Sequence, residues 1–140
     1  MLETDFWNKH AKPGLFPYGD FQRVENTADT GTPDVNFAVK GFGQGWIELK
    51  VAHDGWLKFE LFQLPWIRRR LKAAPGTCWV LAYIDEGTCG TLIIPGAVAL
   101  RAERRAYGKH VFIAVDAILR ETGWQYLTTW SELATILGRN

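Results

Sequence analysis

A chain of 140 residues, 47% hydrophobic and 22% charged, fits one globular domain over residues 1–140. It can bury roughly two thirds of its unfolded surface, so folding requires neither a metal nor a disulfide. A formal net charge of +1 excludes a uniformly basic DNA-coating protein, and no apolar run reaches the roughly 20 residues of a membrane span.

Residues 3–11 predict a short helix ended by Pro13-Gly14, and the acidic, amphipathic N-terminus does not read as a signal peptide. Residues 20–26 alternate as a strand, TADTGT over 27–32 is a turn by composition, and 34–40 form a second strand. Gly41, Gly43 and Gly45 mark a tight hairpin rather than a phosphate-cradling loop, because no helix starts there; 46–52 form the third strand. Residues 59–73 read as a helix, with Pro65 as a kink or late start and Pro75-Gly76 as its end. The run 78–84 is an apolar strand buried on both faces. After the EGTCG turn come a strand at 91–94, a helix at 96–106, a strand at 111–115 and an amphipathic helix at 129–137. This order predicts an α/β or α+β sandwich with a central mixed sheet. Cys78 and Cys89 match no common zinc spacing and read as reduced core residues of a cytoplasmic protein.

The chemistry concentrates between residues 24 and 50. Asp34 follows Pro33 at the start of a strand, and Glu48 and Lys50 stand two apart on the next, so both project from one face. If the two strands pair through the glycine turn, Asp34 falls near Lys50 or one step past it. Two carboxylates in one patch raise each other's pKa, and a divalent cation relieves that repulsion. Magnesium prefers oxygen ligands and uses one or two carboxylates plus substrate phosphate, which suits Asp34 and Glu48. Lys50 would orient or deprotonate the attacking water, or stabilise charge growing on the phosphorane. E-x-K on a strand is ordinarily a solvated pair, and Pro-Asp is a common turn dipeptide. The combination of G-x-P-D, a thirteen-residue spacing and an apolar strand bearing E-x-K is far more specific.

PDV followed by IELK resembles the bipartite motif of PD-(D/E)XK nucleases. The longer pattern WNKH, RVEN, GTPDVN, GWIELK and FQLPWIRR is similar to phage proteins of the VRR-NUC branch, related to Holliday junction resolvases. The resemblance spans about residues 5–85 and leaves 95–140 uncovered. It implies an α/β, restriction-endonuclease-like core with a central mixed β-sheet flanked by helices. It also implies Mg²⁺ with Mn²⁺ as a substitute, phosphodiester hydrolysis, and homodimers acting on branched or duplex DNA in a bacterial or phage-infected cytoplasm. By position, Asp34 and Glu48 match the metal-binding acids, Lys50 the motif lysine, and Gln63 the glutamine this branch places beside the site. Glu25 matches a third metal-binding acid nine residues before the motif; many relatives place it on the first helix instead, here Glu3 or Asp5.

Positive charge gathers at Arg68, Arg69, Arg70 and Lys72, read as DNA-binding, and again at Arg101, Arg104, Arg105, Lys109 and His110. His10, His53 and His110 are expected to be structural or DNA-facing, without a metal role. Phe59, Phe62 and Trp66 read as core residues or as part of a dimer interface. The expected function is a Mg²⁺-dependent, structure-specific endodeoxyribonuclease of the Holliday junction resolvase kind. The alternatives are a nicking or general DNA endonuclease of the same chemistry, and a non-catalytic DNA-binding module on a nuclease fold.

Overall fold

The computed structural model describes residues 1–24, 31–41, 43–85 and 90–138. A continuous helical run opens the chain: α1 (Glu3–Phe6), a π turn (Trp7–Ala11), α2 (Lys12–Leu15) and a 3-10 turn (Phe16–Tyr18). The expected break at Pro13-Gly14 does not occur. Pro13 stands in the first turn of α2, directly after the widened π turn, where its missing N–H costs little. Strands β1 (Gly19–Arg23), β2 (Val35–Val39) and β3 (Gly43–Val51) follow. Then come β4 (Trp56–Glu60), α3 (Gln63–Ala73), β5 (Cys78–Ile84) and β6 (Gly90–Pro95). The C-terminal part contains α4 (Gly96–Arg101), β7 (Arg105–Tyr107), β8 (His110–Ala114), α5 (Val115–Leu119), β9 (Gln125–Leu127) and α6 (Trp130–Leu137).

Six strands form the central sheet in the order β1-β2-β3-β5-β6-β9. It is mixed: β3 and β5 run parallel, joined by a crossover that includes α3, and the other neighbours are antiparallel. One face carries Phe37, Ile47 and Leu49 and is covered by Phe6, Trp7 and Leu15 of the N-terminal run and Leu133 and Leu137 of α6. The opposite face, with Val80, Ala82 and Ile94, packs against α3, α4 and α5 through Leu64, Ile67, Val98 and Ile118. A second sheet of three strands, β4-β8-β7, adds Leu57, Phe59 and Ile113 to that core. Among the described residues no helix is long and apolar enough to cross a membrane.

Three further expectations change. Residues 59 and 60 are strand rather than helix, because β4 pairs with β8 and α3 begins only at Gln63. The helix at 96–106 ends at Arg101, and 105–107 pair with β8 instead. Gly43 and Gly45 lie within β3, not in its turn. A side chain on Gly45 would strike the Thr77 carbonyl and one on Gly43 the Leu137 carbonyl, so both positions admit close backbone approach. Cys78 is buried, while Cys89, the composition-defined turn at 27–32 apart from its last two residues, and most of EGTCG lie outside the described residues.

Candidate active site

On β3, Ile47, Leu49 and Val51 point into one core, so Glu48 and Lys50 face the other. They are the buried charged residues among those described, at 1% and 4% exposure. Burial at that level demands partners. The site supplies them through one side chain, Gln63, at the first position of α3. Its Nε2 donates to Glu48 Oε1 and Oε2 at 3.2 and 2.9 Å. Its Oε1 accepts from Lys50 Nζ at 2.9 Å and from the Glu60 backbone N–H at 2.8 Å. Lys50 Nζ also lies 3.9 Å from Glu48 Oε2 and 4.7 Å from the centre of the Phe59 ring.

Asp34 sits one residue before β2. Val35 pairs with Ile47, so one step outward places Asp34 opposite Glu48, not near Lys50 or beyond it. The difference arises because Val39 pairs with Gly43, leaving a connection of residues 40–42. The displacement is an even number of residues, which preserves the face and still brings the acids together. Asp34 Oδ2 accepts the Leu49 backbone N–H at 2.9 Å, and the Asp34 carbonyl accepts from Val24 N–H at 2.8 Å. Strand β3 on one side and the residue following β1 on the other therefore hold Asp34.

Burial pushes the Glu48 carboxyl well above the ordinary range. The Lys50 ammonium opposes this, while the charge of Asp34, a hydrogen bond with the Asp34 carboxylate, and Glu3 add to it. Glu3 is raised as well, first by burial and also by Asp34; Lys50, Arg23 and Lys58 pull it down. The structure thus couples Glu3 electrostatically to Glu48 and Asp34. Asp5 instead pairs with Lys9 along the helix at 3.9 Å. Glu25 lies outside the described residues.

The basic clusters occupy other places. Arg68, Arg69, Arg70 and Lys72 are exposed on α3, beyond the turn that bears Gln63, and Arg70 stacks over Trp66 at 4.8 Å. The second cluster is divided. Arg101 pairs with Glu121 at 3.4 Å, Arg104 donates to the Leu100 carbonyl, and Arg105 stands over Trp56. His10 stacks on Tyr83, His110 lies 3.3 Å from Glu60, and His53 is exposed beside Trp56. Phe59 and Trp66 are core residues, and only Phe62 of the three candidate interface aromatics is exposed. Sequence reasoning does not single out Phe59 as a neighbour of Lys50; the alternation of WLKFE is the signal that could have found it.

The donors suit a small divalent cation. Asp34 and Glu48 offer oxygen ligands side by side, and a cation between them would offset the repulsion of their charges. Among the described residues no group of three His, Cys, Asp or Glu is arranged to hold a metal. Magnesium needs only one or two carboxylates, with water and phosphate completing its shell.

The layered architecture is that of a restriction-endonuclease-like α/β fold, with the acids, lysine and glutamine gathered beside its central strands. Among solved structures the chain is similar to Hjc from Archaeoglobus fulgidus, described as a Holliday junction resolvase from an archaeal hyperthermophile. The TM-score is 0.60 at 14% identity, over 95% of each chain. No family model and no curated protein matches the sequence.

Proposed function

We propose that this chain is a Mg²⁺-dependent, structure-specific endodeoxyribonuclease that resolves four-way DNA junctions. The observation that carries the reading is the convergence of Asp34, Glu48, Lys50 and Gln63 on one patch of a fold shared with a protein described as a Holliday junction resolvase. Asp34 and Glu48 would hold Mg²⁺, or Mn²⁺ in its place, with Glu25 as the third acid and Glu3 acting on the pair electrostatically; the ion would supply Lewis acidity to the scissile phosphate and to a water. In hydrolysis a water oxygen bonds to phosphorus, the phosphorus–ester oxygen bond breaks, and the leaving oxygen takes up a proton. Lys50, as an ammonium, donates to a phosphate oxygen while negative charge accumulates there. Gln63 fixes both neighbours: its carbonyl aims the ammonium, and its amide orients the Glu48 carboxylate. Arg68, Arg69, Arg70 and Lys72 would hold a DNA backbone beyond the site. Two symmetric cuts require two sites, so a C2 dimer is the working form.

The test is incubation with end-labelled four-way junction, flap, single-stranded and linear duplex DNA, with and without Mg²⁺. Paired, Mg²⁺-dependent incisions on opposing strands of the junction support the reading. Equal cutting of linear duplex leaves a general or nicking nuclease. Binding without cleavage in Mg²⁺ or Mn²⁺ leaves a DNA-binding module.

A further inference from the structure

The three-stranded sheet has two chemically different faces. Leu57, Phe59 and Ile113 are buried beneath it. The other face is built from the alternate positions. Lys58, Phe112 and Arg105 lie in register across β4, β8 and β7, and Glu60, His110 and Tyr107 form the next row. Trp56 opposite Ala114 forms a third row. The Arg105 guanidinium stands 5.8 Å from the centre of the Trp56 ring, and Trp56 and Phe112 meet edge to face at 6.4 Å. His53, Asp54, Trp56, Arg105, Tyr107 and Phe112 help line a shallow cleft of about 480 Å³. Tyr107 is 80% exposed, the most exposed large hydrophobic side chain among the described residues.

We infer that this face is a stacking platform for unpaired nucleotides, so that the protein holds a single-stranded segment of nucleic acid on β4-β8-β7 while its carboxylate site lies behind the same strand β4. Charge and aromaticity are interleaved here. Lys58, Arg105 and Lys109 are exposed cations on or beside the face, while Glu60 is within ion-pairing distance of His110. Trp56, Phe112, Tyr107 and Arg105 are types that protein interfaces also use, but the exposed Lys58 and Lys109 beside them are of a type those interfaces deplete, and they match a polyanion instead. The face also distinguishes single strands from duplex. A duplex offers phosphates but keeps its base faces stacked, leaving Tyr107, Phe112 and Trp56 without a partner surface. Unpaired bases present ring faces to aromatic side chains while cations track the backbone. The cleft volume falls within the range of ligand-binding clefts. Strand β4 connects the two regions: Phe59 beneath it touches Lys50, the Glu60 N–H bonds Gln63, and Lys58 on the platform acts on Glu3 electrostatically. The inference rests on the nuclease reading only for the choice of polymer; the binding itself needs neither metal nor cleavage.

The experiment is fluorescence anisotropy in EDTA with a labelled dT oligomer and a blunt duplex of equal length. It uses the wild-type protein, Arg105→Ala/Tyr107→Ala and Tyr107→Phe. The wild type should prefer the oligomer. The double variant should weaken oligomer binding by about ten-fold or more while duplex affinity changes less, and Tyr107→Phe should bind like the wild type. Both side chains are exposed, so an unchanged thermal melt is expected to accompany the weaker binding. Oligomer binding that the double variant leaves intact, or no preference over duplex, overturns the platform. So does a self-association seen by sedimentation that Tyr107→Glu abolishes, since it would make the face a protein interface. The nuclease reading is judged separately: Glu48→Gln should lose cleavage and keep oligomer binding. A wild type that binds the oligomer through Tyr107 but cuts no substrate would refute the nuclease reading and leave the platform standing.

Discussion

Gln63 joins Glu48 and Lys50 into one site. Its two polar ends meet a carboxylate and an ammonium that are both buried, so neither Glu nor Leu substitutes for it. Gln63→Leu should lower stability by about 1–3 kcal/mol, because it leaves the buried Lys50 Nζ and Glu48 carboxyl without the partner they share; urea melts without metal measure this. The raised Glu48 carboxyl has a pH signature. Folded Glu48 holds its proton more tightly than the unfolded chain, whose carboxyl titrates near 4.5. Without divalent metal, stability therefore falls as pH rises from about 4.5 through the folded value, with Glu3 adding to the same slope. Glu48→Gln should flatten that slope. Mg²⁺ should restore wild-type stability increasingly toward higher pH, since only the deprotonated carboxylate binds it. A melting temperature with the same pH slope in Glu48→Gln would assign the titration to another group. Asp34→Asn and Glu48→Gln should each abolish cleavage and leave DNA binding largely intact. Lys50→Ala should slow single-turnover cleavage about 10²–10³-fold, with a smaller effect on metal affinity. Weakened DNA binding with unchanged single-turnover cleavage would make Lys50 a phosphate ligand only.

Elements place these residues through backbone spacing. Gly45 lets the Thr77 carbonyl approach β3 and accept the Trp46 N–H at 2.8 Å, beside the parallel pairing of β3 with β5. Gly45→Ala forces a Cβ into that carbonyl and should destabilise by about 1–3 kcal/mol, without touching any site residue. Chemical denaturation measures it, and a neutral substitution would mean that the Thr77 segment yields easily. At the other end of the chain, Thr129 caps α6 by accepting the Glu132 N–H, and Glu132 in turn accepts from Thr128. The capping pattern Thr-x-x-Glu is visible in the sequence and agrees with the amphipathic run at 129–137. Strand β4 has an equally local signature, although its last two residues read as helix when joined to the run that follows. Asp54 and Gly55, both at positive φ, form a two-residue Asp-Gly turn closed by the His53–Trp56 bridge, and WLKFE alternates directly after it.

Across the whole molecule, the near-zero net charge makes placement of the cations more informative than their number. Arg68, Arg69 and Arg70 extend from the helix that Gln63 begins, while Lys58 and Arg105 mark the second sheet. Neutralising Arg68, Arg69 and Arg70 together should weaken junction binding and reduce the slope of log K against log salt by about 0.9 for each phosphate that is no longer neutralised. Salt titrations of anisotropy measure this slope. An unchanged slope would remove α3 from the DNA path. Junctions should also compete better than linear duplex of equal length, and the active species should sediment as a dimer.

Several features were determined by the sequence alone because they depend on local pattern. Period-two alternation marked β1, the glycines between two short runs marked β2 and β3, the doubly buried run marked β5, and the spacing of Pro33-Asp34 from Glu48 and Lys50 put two acids and a lysine in one patch. Tertiary structure decided the remainder. The pairing of Asp34 with Glu48 depended on how many residues the β2–β3 connection consumed, which composition does not specify. Gln63 reached the site because α3 starts after β4 rather than four residues earlier. Glu3 approached the carboxylates, and Asp5 did not, through the docking of the N-terminal helical run against the sheet. These are contacts between residues distant in sequence, and the packing of two cores on opposite faces of one sheet sets them.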